Sequence, residues 1–214
     1  MAEGRAVLIW RWAVFLLAAF YCVRMVLWGP WDAALGPFRF LTIWALFASF
    51  FAASRMVALS EGRSDRRWDG VVGAVAVLNA MVVMLYWRLY LADPASVTRD
   101  GRLGEWWLEY YLHGLGPLLQ WIDALVVHRS FRRPIASAGW LIGVCAAYPL
   151  WAEFVVRPLN DAPAGRVTAG LPYPFLNDLA PVERATFYAT NGGVALVLLA
   201  LFCGLALAIR RARP

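Results

Sequence analysis

The sequence predicts an all-α integral membrane protein folded as a six-transmembrane-helix bundle, and three observations point there. Six apolar runs, at residues 7–28, 40–59, 70–91, 106–127, 138–156 and 186–209, are each about 20 residues long, enough to cross a hydrocarbon core about 30 Å thick. The chain is 62% hydrophobic and 16% charged, with a mean hydropathy of +0.59, whereas a soluble domain carries about a quarter charged residues. The compact arginine-rich connections fall on one side of an even-numbered bundle, as retained cytoplasmic loops do. The runs take up most of the 214 residues, so the expectation is a single membrane domain.

The first run resembles a signal anchor. No small-residue cleavage site follows it, and Trp28-Gly29-Pro30-Trp31 has the look of an interfacial exit, so it is expected to remain as a helix. The second run carries Thr42, Ala45, Ser49 and Ala52 on one small-residue face suited to helix packing. After it comes EGRSDRRWDG, residues 61–70, and after the fourth run HRSFRRPIAS, residues 128–137. With Arg5, Arg11, Arg55 and the terminal RRARP these put 12 of the 20 arginines on one face, which assigns both termini to the cytoplasm. The segment between the fifth and sixth runs, 157–185, is long and proline-rich. Pro172, Pro174 and Pro181 exclude a long helix there. Its apolar Tyr173-Pro174-Phe175-Leu176 predicts an ordered outer loop folded back over the bundle, with Tyr173 and Phe175 turned inward.

The net charge of +6 comes wholly from arginine. In a membrane protein such residues set topology and meet anionic lipid, so no nucleic-acid partner is expected. Cys22, Cys145 and Cys203 lie inside apolar runs without metal-binding or redox spacing and read as small buried hydrophobes. His113 and His128 are 15 residues apart, about 22 Å along a helix, too far to share one metal or haem. No metal and no cofactor is expected.

Function must then lie in the few polar residues within the runs, since each is costly in lipid. The fourth run is the richest. Glu109, His113, Gln120 and Asp123 share one helical face, which points inward. Pro117 lacks an N–H and so frees the carbonyl of His113. A histidine here most simply stitches two helices together by hydrogen bonds, and a threonine at position 42 most simply bonds a carbonyl one turn back. Glu153 and Arg157 read as a local i,i+4 ion pair, and Arg24 and Arg88 as side chains reaching for headgroups. Asn191 lies one turn into the sixth run, and Tyr86 and Tyr90 share a face of the third. This crowding of polar groups in the outer half suggests a site opening toward the outer leaflet.

The order Phe40-Leu41-Thr42, then His113 and Pro117, then Tyr173-Pro174-Phe175-Leu176 resembles the androgen-induced-gene-1-like family of membrane proteins, from about Arg39 to Asn191. That family includes animal hydrolases of fatty acid esters of hydroxy fatty acids and many bacterial proteins. The resemblance implies a multi-pass enzyme of a bacterial inner membrane with a threonine nucleophile and a histidine base. Carried over by motif, these are Thr42 and His113. The chain departs from the pattern at Trp44-Ala45, where many bacterial relatives carry serine and asparagine, and its histidine is one residue nearer the proline than in the animal proteins.

A threonine hydroxyl needs an adjacent base, and an ester carbonyl needs donors for its developing oxyanion. Asn191, Tyr110 and Tyr173 are candidate donors; Glu109 and Glu153 are candidates to orient His113. The expected partner is a membrane lipid or lipid ester. The alternatives are a transporter or small-molecule binding protein without hydrolase activity, against which the lack of an internal repeat counts, and a non-catalytic relative with a degenerate site. Substrate, acyl length and oligomeric state are left open.

Overall fold

The computed structural model describes residues 4–98, 101–102 and 104–212. The described chain is helical throughout, and its one β feature is an isolated bridge between Ala164 and Ala169. Among the described residues five helices are long and apolar enough to cross a membrane: α1 (Arg5–Trp28), α2 (Leu41–Ser60), α3 (Asp69–Ala92), α5 (Pro134–Leu159) and α7 (Pro181–Ala212). These are the marks of a multi-pass integral membrane protein.

The fourth apolar run, labelled α4 over residues 106–127, takes a different form. It is built from short α-segments at Trp106–Tyr110 and Gly116–Ile122 and π-turns at Tyr111–Leu115 and Asp123–Val127. The expectation of six uninterrupted spans is therefore met by five, and the cause is local. Pro117 has no N–H, so the ladder skips a bond, and Gly116 N–H returns to the Tyr111 carbonyl. His113 leaves the helical region altogether, with φ −113° and ψ 17°.

α3 is the most enclosed helix, packed against α2, α5, α7 and α4. Its run of Val, Ala and Gly from Val71 to Val77 presents little side-chain bulk, so neighbours approach on several sides. At Gly70 a β-carbon would sit 2.8 Å from Ala136 Cβ of α5 and 3.3 Å from its backbone, so glycine lets the two helices cross closely there. α1 packs chiefly on α2, and its other side is exposed along Leu16, Phe20 and Val23, as befits a lipid-facing helix.

The N-terminal end of the bundle, termed the inner end, is tied by buried charge, and the opposite end is termed the outer end. Arg11, expected to mark topology at the membrane face, is 2% exposed. Its Nε is 3.4 Å from Asp123 Oδ1, and its Nη1 donates to Ser60 Oγ at 2.6 Å. The charges are buried because α1, α2 and α4 converge there, and the pairing offsets part of the desolvation. Arg67 forks onto Asp69 with two bonds of 3.2 Å and donates to the His128 carbonyl at 2.9 Å. His128, just beyond α4, lies 2.9 Å from Asp69 Oδ1. Arg24 likewise has a partner in place of a headgroup: its Nη2 is 2.8 Å from Glu105 Oε2.

At the outer end, the 157–185 segment packs back on the bundle around the short helix α6 (Pro174–Asp178). Asn177 is fully buried and organises it. Its side-chain oxygen accepts from Leu171 N–H at 3.1 Å, its amide donates to the Leu171 carbonyl at 3.0 Å, and its backbone carbonyl takes the N–H groups of Val167 and Thr168. Gly170 turns at φ +87°, against the carbonyls of Asn160 and Arg157 where a side chain has no room. Leu171 and Leu176 close onto Ala152 of α5. Arg184 locks the return, donating to Glu153 Oε1 at 2.8 Å and the Leu179 carbonyl at 2.7 Å.

Arg184→Ala leaves Glu153 with the more distant Arg157, at 3.6 Å, as its remaining cation and with the neutral Tyr188 hydroxyl at 3.3 Å. The expected cost is about 3 kcal/mol, read as rapid proteolytic cleavage between residues 160 and 180 in native detergent-solubilised protein. Cleavage no faster than in the parent chain would show that this ion pair does not hold the segment.

Candidate active site

Thr42 and His113 meet. Thr42 lies in the first turn of α2, and its Oγ1 is 3.3 Å from His113 Nε2. Counted from the run starts, the two side chains would differ in depth by about 8 Å if the runs began level; the contact shows that they do not. Trp87 of α3 donates its Nε1–H to the His113 carbonyl at 2.8 Å, taking up the acceptor that Pro117 leaves free. The ring of Tyr86, also on α3, stacks on the imidazole with centroids 3.5 Å apart and planes 5° apart. The imidazole is thus fixed by its backbone, by a ring face and by α2.

The far nitrogen, Nδ1, is 3.1 Å from Glu109 Oε2. The carboxylate lies off the axis of an aligned N–H···O bond, since Nδ1 makes no directed hydrogen bond in this conformation. A small ring rotation aligns it, and sites at rest are often looser than in reaction. The same Glu109 oxygen accepts the Tyr86 hydroxyl at 2.9 Å. Tyr86 therefore binds both the carboxylate and the ring that the carboxylate faces. Threonine, histidine and glutamate form one line from α2 into α4, braced by α3.

Thr42 opens onto an apolar cavity of ≈ 800 Å³ in empty volume, counting its mouth, walled by α3, α5, α7 and the outer segment. Leu78, Met81, Val82, Phe175 and Phe187 supply much of the wall. His113 is not part of that wall: Tyr86 separates it, and it reaches the cavity only through the threonine hydroxyl. Of the two residues, Thr42 alone therefore faces the cavity.

The remaining candidates divide clearly. Tyr173 is closest to the threonine. Its hydroxyl accepts the Leu41 N–H at 3.1 Å and faces the hydroxyls of Thr42 and Tyr148. Burial pushes the Tyr173 pKa up, so it stays a proton donor. Asn191 lines the same cavity from α7, with its amide bonded to the Phe187 carbonyl at 2.8 Å. Tyr110 is 53% exposed and turned away, because the π-turn after it rotates the following residues out of its register. Glu153 is held at the outer clamp by Arg184, Arg157 and the Tyr188 hydroxyl, and Glu109 is the carboxylate at His113.

Two partners were not assigned from sequence. Tyr86 had only its shared face with Tyr90 as a signal. Tyr148, whose hydroxyl donates to the Arg39 carbonyl at 3.0 Å and so pins the start of α2, had none beyond a phenol in an apolar run. Among the described residues no group of His, Cys, Asp and Glu could hold a metal ion.

A family model of FAR-17a/AIG1-like proteins matches residues 13–207. The chain belongs to the FAR-17a/AIG1-like family. The matched region takes in every residue of the threonine–histidine–glutamate line, the cavity and the outer segment. No curated protein and no solved structure matches the chain.

Trp87→Phe keeps the ring packing and leaves the His113 carbonyl without its donor. The expected cost is about 1–3 kcal/mol, seen as a melting temperature several degrees lower in detergent. An unchanged melting temperature would mean the freed carbonyl finds another partner.

Proposed function

We propose that this FAR-17a/AIG1-like protein is an intramembrane threonine hydrolase that cleaves a lipid ester, such as a fatty acid ester of a hydroxy fatty acid. The observation that carries the reading is the Thr42 Oγ1 to His113 Nε2 distance of 3.3 Å beside an apolar cavity. Its family, as the resemblance of the motifs implies, includes hydrolases of such esters.

The chemistry runs as follows. Glu109 favours the tautomer with the proton on Nδ1, leaving the Nε2 lone pair toward Thr42. Thr42 Oγ1 attacks the ester carbonyl carbon as its proton passes to Nε2. The tetrahedral oxyanion takes a hydrogen bond from Tyr173, with Asn191 as a second candidate donor. The alkoxide leaves with the proton from Nε2, and an acyl group remains on Thr42. Water then attacks that acyl carbon, its proton passes to Nε2 and on to Thr42 Oγ1, and the fatty acid is released. The acyl chain lies in the apolar cavity throughout.

In this reading α4 is the sixth span, tilted and broken at the site, and both termini are cytoplasmic. The protein would sit in a bacterial inner membrane, with Thr42 in the outer half. In intact cells, a cysteine placed at Ser64 should be shielded from an impermeant thiol reagent and one at Ala164 should react; the reverse pattern overturns the orientation.

Residues that act as a unit cost about as much singly as together. Thr42→Ala, His113→Ala and the double variant should therefore abolish hydrolysis of a long-chain ester to a similar degree while the protein still folds. Glu109→Gln should lower the rate on the order of a hundredfold. Full activity in Thr42→Ala would exclude the mechanism.

A further inference from the structure

Hydrolysis on Thr42 raises a problem of supply. The cavity that would hold the acyl chain is walled mostly by hydrocarbon, and an acyl group on Thr42 would fill it. Water has poor reason to enter from that side.

A second, much smaller chamber adjoins the threonine from behind. It is lined by Thr42, Ser49, Asn79, Leu46, Gly116 and Pro117, and has room for about one water molecule. Thr42 is the residue common to both spaces. The chamber is the polar one. Asn79 and Ser49 are 4% and 6% exposed, so their polar atoms are inside the bundle, where an unmet group is costly. Asn79 donates its two amide protons, to Ser49 Oγ at 2.8 Å and to the Val75 carbonyl at 2.9 Å. Its carbonyl oxygen is then an acceptor without a share in those bonds. Ser49 Oγ, already accepting from Asn79, has a proton to give. A buried water needs two to four polar partners. Asn79 Oδ1, Ser49 Oγ and Thr42 Oγ1 meet that need.

The break in α4 makes this space. A β-carbon at Gly116 would press on the Tyr111 carbonyl at 3.0 Å and on its ring at 3.2 Å, so glycine lets α4 pass Tyr111. Deeper in the bundle the polar line continues through Gln120, whose amide donates to the Ser49 carbonyl at 3.4 Å, to Asp123 and Arg11.

We infer that this chamber is the site of the hydrolytic water, with Asn79 and Ser49 as the residues that position it against the acyl group on Thr42. The inference rests on the threonine-hydrolase reading and adds the step that frees the enzyme. The water oxygen bonds to the acyl carbon, the bond from that carbon to Thr42 Oγ1 breaks, and the water proton reaches Oγ1 through His113 Nε2. Attack comes from the side away from the acyl chain. Asn79 and Ser49 act on the second half of the reaction only, since neither lines the cavity where the ester enters.

The test uses the full chain in detergent and the 4-nitrophenyl ester of a medium-chain fatty acid. Asn79→Leu fills the chamber and removes the acceptor; Ser49→Ala removes one donor at little risk to folding. Both should release a first equivalent of nitrophenol at the parent rate. Both should then turn over slowly, by about tenfold or more, while intact-protein mass spectrometry finds the acyl group accumulating on Thr42. If the first equivalent and the steady state fall together, or if neither falls in Ser49→Ala, the two residues are structural and the inference is wrong. If the burst persists in Thr42→Ala, the threonine reading itself has failed, and this inference with it.

Discussion

The missing N–H of Pro117 is the constraint on which the rest of the site depends. An unbroken α-helix through residues 106–127 would bond the His113 carbonyl internally. With one rung lost, the chain takes a π-turn and His113 moves out of helical geometry. Its carbonyl goes to Trp87, its ring lies on Tyr86, and its two nitrogens reach Thr42 and Glu109. Lipid tolerates such a break only where neighbouring helices satisfy the freed groups. Here α3 does so with the Trp87 indole, while the adjacent Tyr86 phenol donates to Glu109.

The same rule orders the two ends of the bundle. Charge inside a low-dielectric interior persists only when paired and hydrogen-bonded. Arg11 with Asp123 closes the inner end, and Arg184 with Glu153 closes the outer end. Between them lie the site and its cavity, where the polar groups are fewer and mostly neutral. The outer clamp also positions the site. It holds the segment that carries Tyr173, and Tyr173 accepts the Leu41 N–H next to Thr42. Tyr148 holds the turn before it through the Arg39 carbonyl. The first turn of α2 is thus fixed from two sides, which suits a hydroxyl meant to stay in one place.

Much of this was legible in the sequence because lipid makes polar residues conspicuous. A lone histidine in an apolar run, four residues before a proline, signals a loosened helix with a free carbonyl. Thr42 stood out only through the order of short motifs, since a threonine one turn into a helix is ordinary. Other features were not legible. Glu109 stands one helical turn before His113, but a helix loosened at Pro117 need not keep that spacing, so Glu153 stayed a candidate beside it. Arg11 sits where a topology marker would sit; only the convergence of three helices turns it inward. Tyr110 and Tyr111 are adjacent, and the π-turn decides that Tyr111 is buried while Tyr110 is exposed. A residue count from the run starts misplaces His113 relative to Thr42, because nothing local fixes the stagger between two helices.

The central claim is that Thr42, activated by His113, is a nucleophile. A fluorophosphonate reacts covalently with an activated hydroxyl and leaves an adduct whose position can be read by peptide mass spectrometry. The full chain in detergent should carry one adduct, on the peptide containing Thr42, and His113→Ala should lose it although Thr42 remains. An adduct on another residue, or labelling unchanged in Thr42→Ala, would contradict the account.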